Sequence, residues 1–157
     1  MVDDELSRAI DRIRDKPTFK FQDVKNMSEA SITQIVIGIL YHHGWGVFNP
    51  NEVEPQFNKD IKGRPDIVLK QSMKIKCLIE IKNARQDLNK HKKQIIGYLK
   101  DRNEAELGIL TNAVSWKFYK RGSENSNLIE VADVNIIKHP DSYIKQIFDE
   151  YLSKYKY

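Results

Sequence analysis

Apolar positions along the chain alternate between two periods, and the changes of period mark its elements. Asp66 and the unbroken apolar run Ile67, Val68 and Leu69 follow a Gly63-Arg64-Pro65 turn and precede Lys70-Gln71, the signature of a buried strand. Over residues 77–82 the period is two. Cys77, Ile79 and Ile81 fall on one face, and Leu78, Glu80 and Lys82 on the other. Residues 108–112 and 116–119 read as two further strands turning about Ala113-Val114, with shorter ones at 45–48 and 128–131. Helical spacing appears four times. Leu6, Ala9, Ile10 and Ile13 make a thin stripe over residues 3–15, ended by Pro17, and Phe19 and Phe21 then alternate about Lys20 as an extended piece. Ile32, Ile35, Val36, Ile39 and Leu40 mark a helix from Asn26 or Ser28 to His43, with Asn26 and Glu29 as a capping box and Gly44 as its stop. Leu88, Ile95 and Leu99 stripe a helix over 85–102, and Pro140 opens a last one carrying Tyr143, Ile144, Ile147, Phe148, Tyr151, Leu152 and Tyr155 as core or interface. This order predicts an α/β sandwich, a mixed central sheet flanked by helices. Its single domain divides into an N-terminal helical arm (1–25), a core (26–120) and a C-terminal strand and helix (121–157).

Composition narrows the class. A chain of 157 residues can bury a real core as one domain. The net charge of +4 permits a polyanionic partner without proving one. One cysteine excludes an internal disulfide, and Cys77 sits on the core face of its strand. The start, Met-Val-Asp-Asp-Glu, lacks the basic-then-apolar order of a signal peptide, and no apolar run reaches membrane-spanning length. A cytoplasmic location and no membrane partner are therefore expected. His42 and His43 end a helix, where interaction with its dipole outweighs a ligand role.

The chemistry lies in the two central strands. If they pair through a loop at 71–75, Lys70 faces Lys76 and Asp66 faces Glu80, with Cβ atoms roughly 5 Å apart. A loop one residue shorter or longer would misalign the acids. Two carboxylates that close repel, and one takes up a proton unless a cation sits between them. Their oxygens are hard ligands suited to Mg²⁺, Mn²⁺ or Ca²⁺. Lys82 lies one side-chain step along, within reach of a phosphate oxygen. The bland alternative is a surface hairpin with an ion pair, but apolar strands rarely carry three such charges on one face unless something uses them.

Pro65-Asp66 followed by Glu80-Ile81-Lys82 closely resembles the PD-(D/E)XK nuclease superfamily. The Glu29 helix with Gly44-Trp45, Gln94 and Tyr98 one helical turn apart, and Gly-Ile-Leu-Thr-Asn before Trp-x-Phe-Tyr resemble the nuclease domain at the N-terminus of type I restriction enzyme R subunits. The resemblance covers residues 26–120. It implies a Mg²⁺-dependent DNA endonuclease, with Mn²⁺ able to substitute. Asp66, Glu80 and the Ile81 carbonyl would hold the metal, and Lys82 would join the acids in catalysis. Glu29 would be a first-turn capping acid, a further metal-site acid, or both. Gln94 and Tyr98 would support the site and contact nucleic acid. Arg64 would hold a phosphate or be a solvated turn residue; Lys90, Lys92 and Lys93, with His91, would bind the phosphate backbone or form a solvated face. Nothing in the spacing selects Glu54 or Gln56. No Gly-x-x-x-x-Gly-Lys-Ser/Thr loop is present, so no nucleotide cofactor is expected, and the chain reads as a stand-alone nuclease domain or a piece of a larger one. A structure-selective nuclease such as a Holliday-junction resolvase, and a non-catalytic nucleic-acid-binding module, are the alternatives, and the residues do not separate DNA from RNA. Double-strand cleavage would call for a homodimer or a larger assembly, with the last helix and the Phe19–Phe21 arm as surfaces.

Overall fold

The computed structural model describes residues 21–55, 63–122 and 127–154. Four α-helices lie in these segments: α1 (Phe21–Asn26), α2 (Glu29–His42), α3 (Lys92–Asp101) and α4 (Asp141–Tyr151). The strands are β1 (Val53–Pro55), β2 (Ile67–Gln71), β3 (Lys74–Ile81), β4 (Leu107–Thr111), β5 (Ser115–Arg121) and β6 (Leu128–Asn135), and they form one six-stranded sheet in chain order. Neighbours are antiparallel except β3 and β4, which run parallel. A parallel pair needs a crossover. It is supplied by a 3₁₀ turn at Leu88–His91 and α3.

The period-two pattern of β3 separates two cores. Cys77, Ile79 and Ile81 point to the face covered by α2 and α4, where Ile32, Val36, Leu40, Ile144 and Phe148 pack with Trp116 and Phe118. Leu78 points to the opposite face, with Val68, Leu110 and Tyr119, under Leu88, Ile95, Tyr98 and Leu99 of the crossover. Gly108 lets α3 approach closely: a Cβ there would lie 2.6 Å from Leu99 Cδ1 and 2.9 Å from Ile95 Cγ1. The mixed α/β sandwich expected from the sequence is the observed architecture. No described helix is long and apolar enough to cross a membrane.

Several local expectations change. The β2–β3 turn is not five residues long. Gln71 pairs with Lys74, and the two residues between them, Ser72 and Met73, both have positive φ (51° and 64°), the mark of a type I′ hairpin turn. The register then shifts by one: Lys70 pairs with Ile75 but Leu69 with Cys77, leaving Lys76 as a bulge. Lys70 and Lys76 are not partners. The bulge nevertheless restores the expected alignment from Leu69 onward. Residues 45–48 are turns rather than a strand; Trp45 is buried with its indole N–H donating to the Leu152 carbonyl at 2.7 Å, and the edge strand is β1 instead. The α2 N-cap is Ser28, whose hydroxyl accepts from Ser31 N–H, so Asn26 and Glu29 form no capping box; Asn26 closes α1. Gly44, at φ +89°, does follow the α2 end. The helix expected from residue 85 starts only with the 3₁₀ turn at Leu88. Phe21 opens α1 instead of an extended piece, while residues 3–15, Phe19, Gln56 and Tyr155 lie outside the described residues. His43 is buried, and burial lowers its pKa to about 4, with Asp149 partly opposing and His42 adding; as a neutral ring it has no charge to offer the helix dipole. In α4, Ile144, Ile147 and Phe148 are core, and Tyr151 packs against Phe118 with ring centroids 5.5 Å apart, so these positions serve the monomer.

Candidate active site

The site forms where β3 outruns β2. The last pair of the β2–β3 ladder is Ile67 with Ile79, and continuing that register by one residue sets Asp66 across from Glu80. Beyond that point the Ile81 N–H has no β2 carbonyl to meet. The Asp66 carboxylate takes the place of the missing strand, accepting the Ile81 N–H through Oδ2 at 2.6 Å. On its other side β3 remains anchored, because Lys82 N–H donates to the Thr111 carbonyl at 2.9 Å. Asp66, one residue ahead of β2, and Glu80, on β3, are thus both tied to the sheet.

Glu80 points to the α3 face and is 4% exposed. Its Oε1 accepts from Lys82 Nζ at 2.7 Å and from Gln94 Nε2 at 2.8 Å. Gln94 Nε2 also donates to the Tyr98 hydroxyl at 2.8 Å. The one-turn spacing of Gln94 and Tyr98 therefore becomes a brace between α3 and the β3 carboxylate. Glu80 Oε2 is buried with no hydrogen-bond partner. Burial raises the Glu80 pKa to about 7; the Asp66 charge and, more weakly, Glu29 add to the rise, and Lys82 opposes it. Burial also raises the Tyr98 hydroxyl above its ordinary value.

Asp66, Glu80, Lys82, Gln94 and Tyr98 therefore converge. Ile81 belongs to the site through its backbone. Glu29, first residue of α2, acts on Glu80 by its charge, so it lies near the cluster. Lys90, Lys92 and Lys93 are exposed, and Lys92 extends over the Tyr119 ring, 5.7 Å from its centroid. Arg64 lines a neighbouring pocket with Glu54 and Lys70, and Glu54 pairs with Lys70. By sequence, His91 belongs to the basic run of Lys90, Lys92 and Lys93. It is the N-cap of α3, three residues before Gln94, and its pKa is lowered by burial and then by Lys82, with Glu29 opposing. The three-residue offset from Gln94 is the sequence signal for this placement.

Among the described residues no group of three or more His, Cys, Asp or Glu side chains forms a ready metal cage. The donor set still fits a small hard cation. Mg²⁺ is commonly held by one or two carboxylates, with water and substrate oxygens completing its octahedron. A buried carboxylate oxygen without a partner, beside a second carboxylate, has the unmet charge such an ion would satisfy.

A family model for the type I restriction enzyme R protein N terminus (HSDR_N) matches residues 26–139. A search of curated proteins finds no match. The family match contains every converging residue and runs past residue 120 to take in β6. The chain belongs to the family of type I restriction enzyme R protein N-terminal domains, a restriction-enzyme type of nuclease domain.

Proposed function

We propose that this chain is a metal-dependent nuclease that hydrolyses DNA phosphodiester bonds, with Mg²⁺ as its ion and Mn²⁺ able to replace it. The observation that carries the reading is Glu80: a buried carboxylate with one oxygen unpartnered, a second acid across the hairpin and a lysine at 2.7 Å. Asp66, Glu80 and the Ile81 carbonyl would hold the ion, with Glu29 as a nearby further acid. When bound, it would neutralise charge on the scissile phosphate and make a coordinated water more acidic.

The chain's own groups do the rest. Gln94 and Lys82 both donate to Oε1 of Glu80 and so fix the rotation of the carboxylate, leaving Oε2 as its open oxygen. Tyr98 in turn fixes Gln94. Lys82 is only 13% exposed at its side chain, so little water screens its charge. It is suited to orient the attacking water and to stabilise negative charge growing on phosphate oxygens. Lys90 and Lys93 offer exposed charge on the same crossover for the DNA backbone.

Parallel assays on supercoiled plasmid, single-stranded and junction DNA test this reading and resolve the substrate preference. Cleavage should require Mg²⁺ or Mn²⁺. Lys82→Ala should reduce it on the order of 100-fold or more, while calorimetric Mn²⁺ affinity stays nearly unchanged. Cleavage in EDTA, or full activity in Lys82→Ala, would refute the mechanism.

A further inference from the structure

The α3 face of the sheet carries a concavity over Val68 and Lys70, farther along β2 from Asp66. It is a pocket of about 230 Å³. Pro65, Val68 and Ile75 give it apolar walls, and Arg64, Lys70, Arg102 and Glu54 give it charge. Asp66, Val68 and Lys70 alternate along one side of the β2 segment, so the pocket starts about 7 Å, one same-face step, from Asp66. Lys70 is neutralised by its ion pair with Glu54. Among the described residues neither Arg64 nor Arg102 has an acidic partner. Among the described residues, two guanidiniums are thus left without a carboxylate around an apolar floor.

The Arg102 side is held firmly. Its N–H donates to the Tyr98 carbonyl at 3.1 Å, and its carbonyl accepts from Arg121 at 3.0 Å and from Ala105 N–H at 3.1 Å. Arg121 also donates to the Leu99 carbonyl. A single helix therefore carries both ends of one surface: Gln94 at Glu80, and Arg102 at the pocket. Eight residues of helix span about 12 Å, roughly three nucleotide steps along one DNA strand. The volume is below the range of about 300 Å³ and upward typical of whole small-molecule ligands. It suits a phosphate with its sugar and is too small for a nucleotide cofactor.

We propose that this pocket binds one phosphate group of the nucleic-acid substrate, a few nucleotides from the bond that is cut. Arg64 and Arg102 fork onto its oxygens, and the sugar lies on Pro65, Val68 and Ile75. Planar guanidiniums match phosphate oxygens two at a time, which makes arginine the fitting cation here. The proposal rests on the nuclease reading for the nature of the substrate. The phosphate is either internal to a strand or at its end.

The test is a titration of methyl-labelled, metal-free protein with deoxythymidine 3′,5′-bisphosphate, following the Ile75 and Val68 methyl resonances by NMR. Saturable shifts are expected, with affinity falling on the order of tenfold or more in Arg64→Ala/Arg102→Ala. Arg64 is exposed and Arg102 half-buried, and Arg64→Gln/Arg102→Gln repeats the measurement with side-chain bulk kept. Methyls that do not move at saturation, or equal affinity in wild type and both double variants, overturn the pocket. Duplexes with and without a 5′-phosphate, bound in EDTA at several salt concentrations, identify the source. Dependence on the end group marks a terminal phosphate. Equal loss for both duplexes, with the salt slope reduced by about 0.9, marks an internal one. Shifts with no Mg²⁺-dependent cleavage leave the phosphate site standing and refute the nuclease reading; cleavage without shifts does the reverse.

Discussion

Replacing Glu80 by Gln should stabilise the metal-free protein at pH 8 and do little at pH 5. Burial and the Asp66 charge lift the Glu80 carboxyl from 4.5 to about 7. Five groups face it: Asp66 ahead of β2, Lys82 just past the end of β3, Glu29 on α2, and Gln94 and Tyr98 on α3. The folded state thus holds a proton on Glu80 that the unfolded chain has released, throughout the interval between 4.5 and about 7. Stability falls as pH rises through that interval and levels off above it. At about 1.4 kcal/mol per pH unit, ionising the buried group costs about 3 kcal/mol at pH 8 and about 1 kcal/mol or less at pH 5. Glutamine resembles the protonated acid in shape and stays neutral. Its advantage at pH 8 should appear as a rise in Tm of about 6–12 °C for a domain of this size.

The wild-type profile alone would hide this, because His43 has the opposite slope. Its pKa is lowered from 6.5 to about 4. The unfolded chain therefore binds the extra proton, and the stability present above pH 6.5 is lost as pH falls toward 4. Between pH 7 and 5 each group moves stability by about 2 kcal/mol, in opposite directions. Their contributions nearly cancel in the wild type, while Glu80→Gln keeps the loss from His43 alone. Urea unfolding in EDTA at pH 5, 6, 7 and 8 reads both effects. At pH 8, Mn²⁺ should then stabilise the wild type and leave Glu80→Gln almost unmoved. A Glu80→Gln protein less stable than wild type at pH 8, or a difference between them that ignores pH, would refute the account of Glu80.

Two further predictions concern the frame. Gly108→Ala puts a methyl 2.6 Å from Leu99 Cδ1, so it should destabilise by about 1–3 kcal/mol, read by urea unfolding, with reduced cleavage as α3 is pushed from the sheet. Replacing Ser72-Met73 by Asn-Gly should raise stability by about 1 kcal/mol or more, since both positions have positive φ and Met73 is 89% exposed with little packing to lose.

The sequence carried the sandwich and the central chemistry because both depend on periodicity. Glu80 and Lys82 stand on one face of β3 by period two, and Gln94 lies over Tyr98 by helical spacing, and neither depends on an element's exact ends. What it did not carry were compensating irregularities. A five-residue loop and the observed two-residue turn with its bulge at Lys76 lead to the same register, because one shift offsets the other and Asp66 still meets Glu80. Neither Ser nor Met is a preferred type I′ residue, so no turn signal was there to read. Residues 45–48 are apolar enough for a strand, yet Trp45 is satisfied by the Leu152 carbonyl, more than a hundred positions away, which no local pattern reveals. The pocket at Arg102 is hidden for the same reason, because β1, β2, β3 and the end of α3 meet only in three dimensions.

Asp66 has two duties, and substitutions can separate them. Its carboxylate would be a metal ligand, and it also supplies the hydrogen-bond acceptor that β2 no longer offers to Ile81 N–H. Asp66→Ala removes both and leaves a donor stranded in the sheet, a loss of about 1–3 kcal/mol. Asp66→Asn keeps an oxygen for the N–H and removes only the charge. The Asp66 charge is also the second cause of the high Glu80 pKa. In Asp66→Asn the Glu80 carboxyl should therefore titrate below 7, and the penalty for ionising it at pH 8 should shrink. The expected order of metal-free stability at pH 8 is Asp66→Asn at or above wild type, and Asp66→Ala below it. Mn²⁺ affinity and cleavage should fall sharply in both variants. Carbon-13 NMR of the labelled Glu80 carboxyl reads the titration, and urea unfolding reads the stability. Equal destabilisation by the two variants, with an unchanged Glu80 titration, would show that the Asp66 charge is not coupled to Glu80 and would remove the electrostatic basis for a shared ion between them.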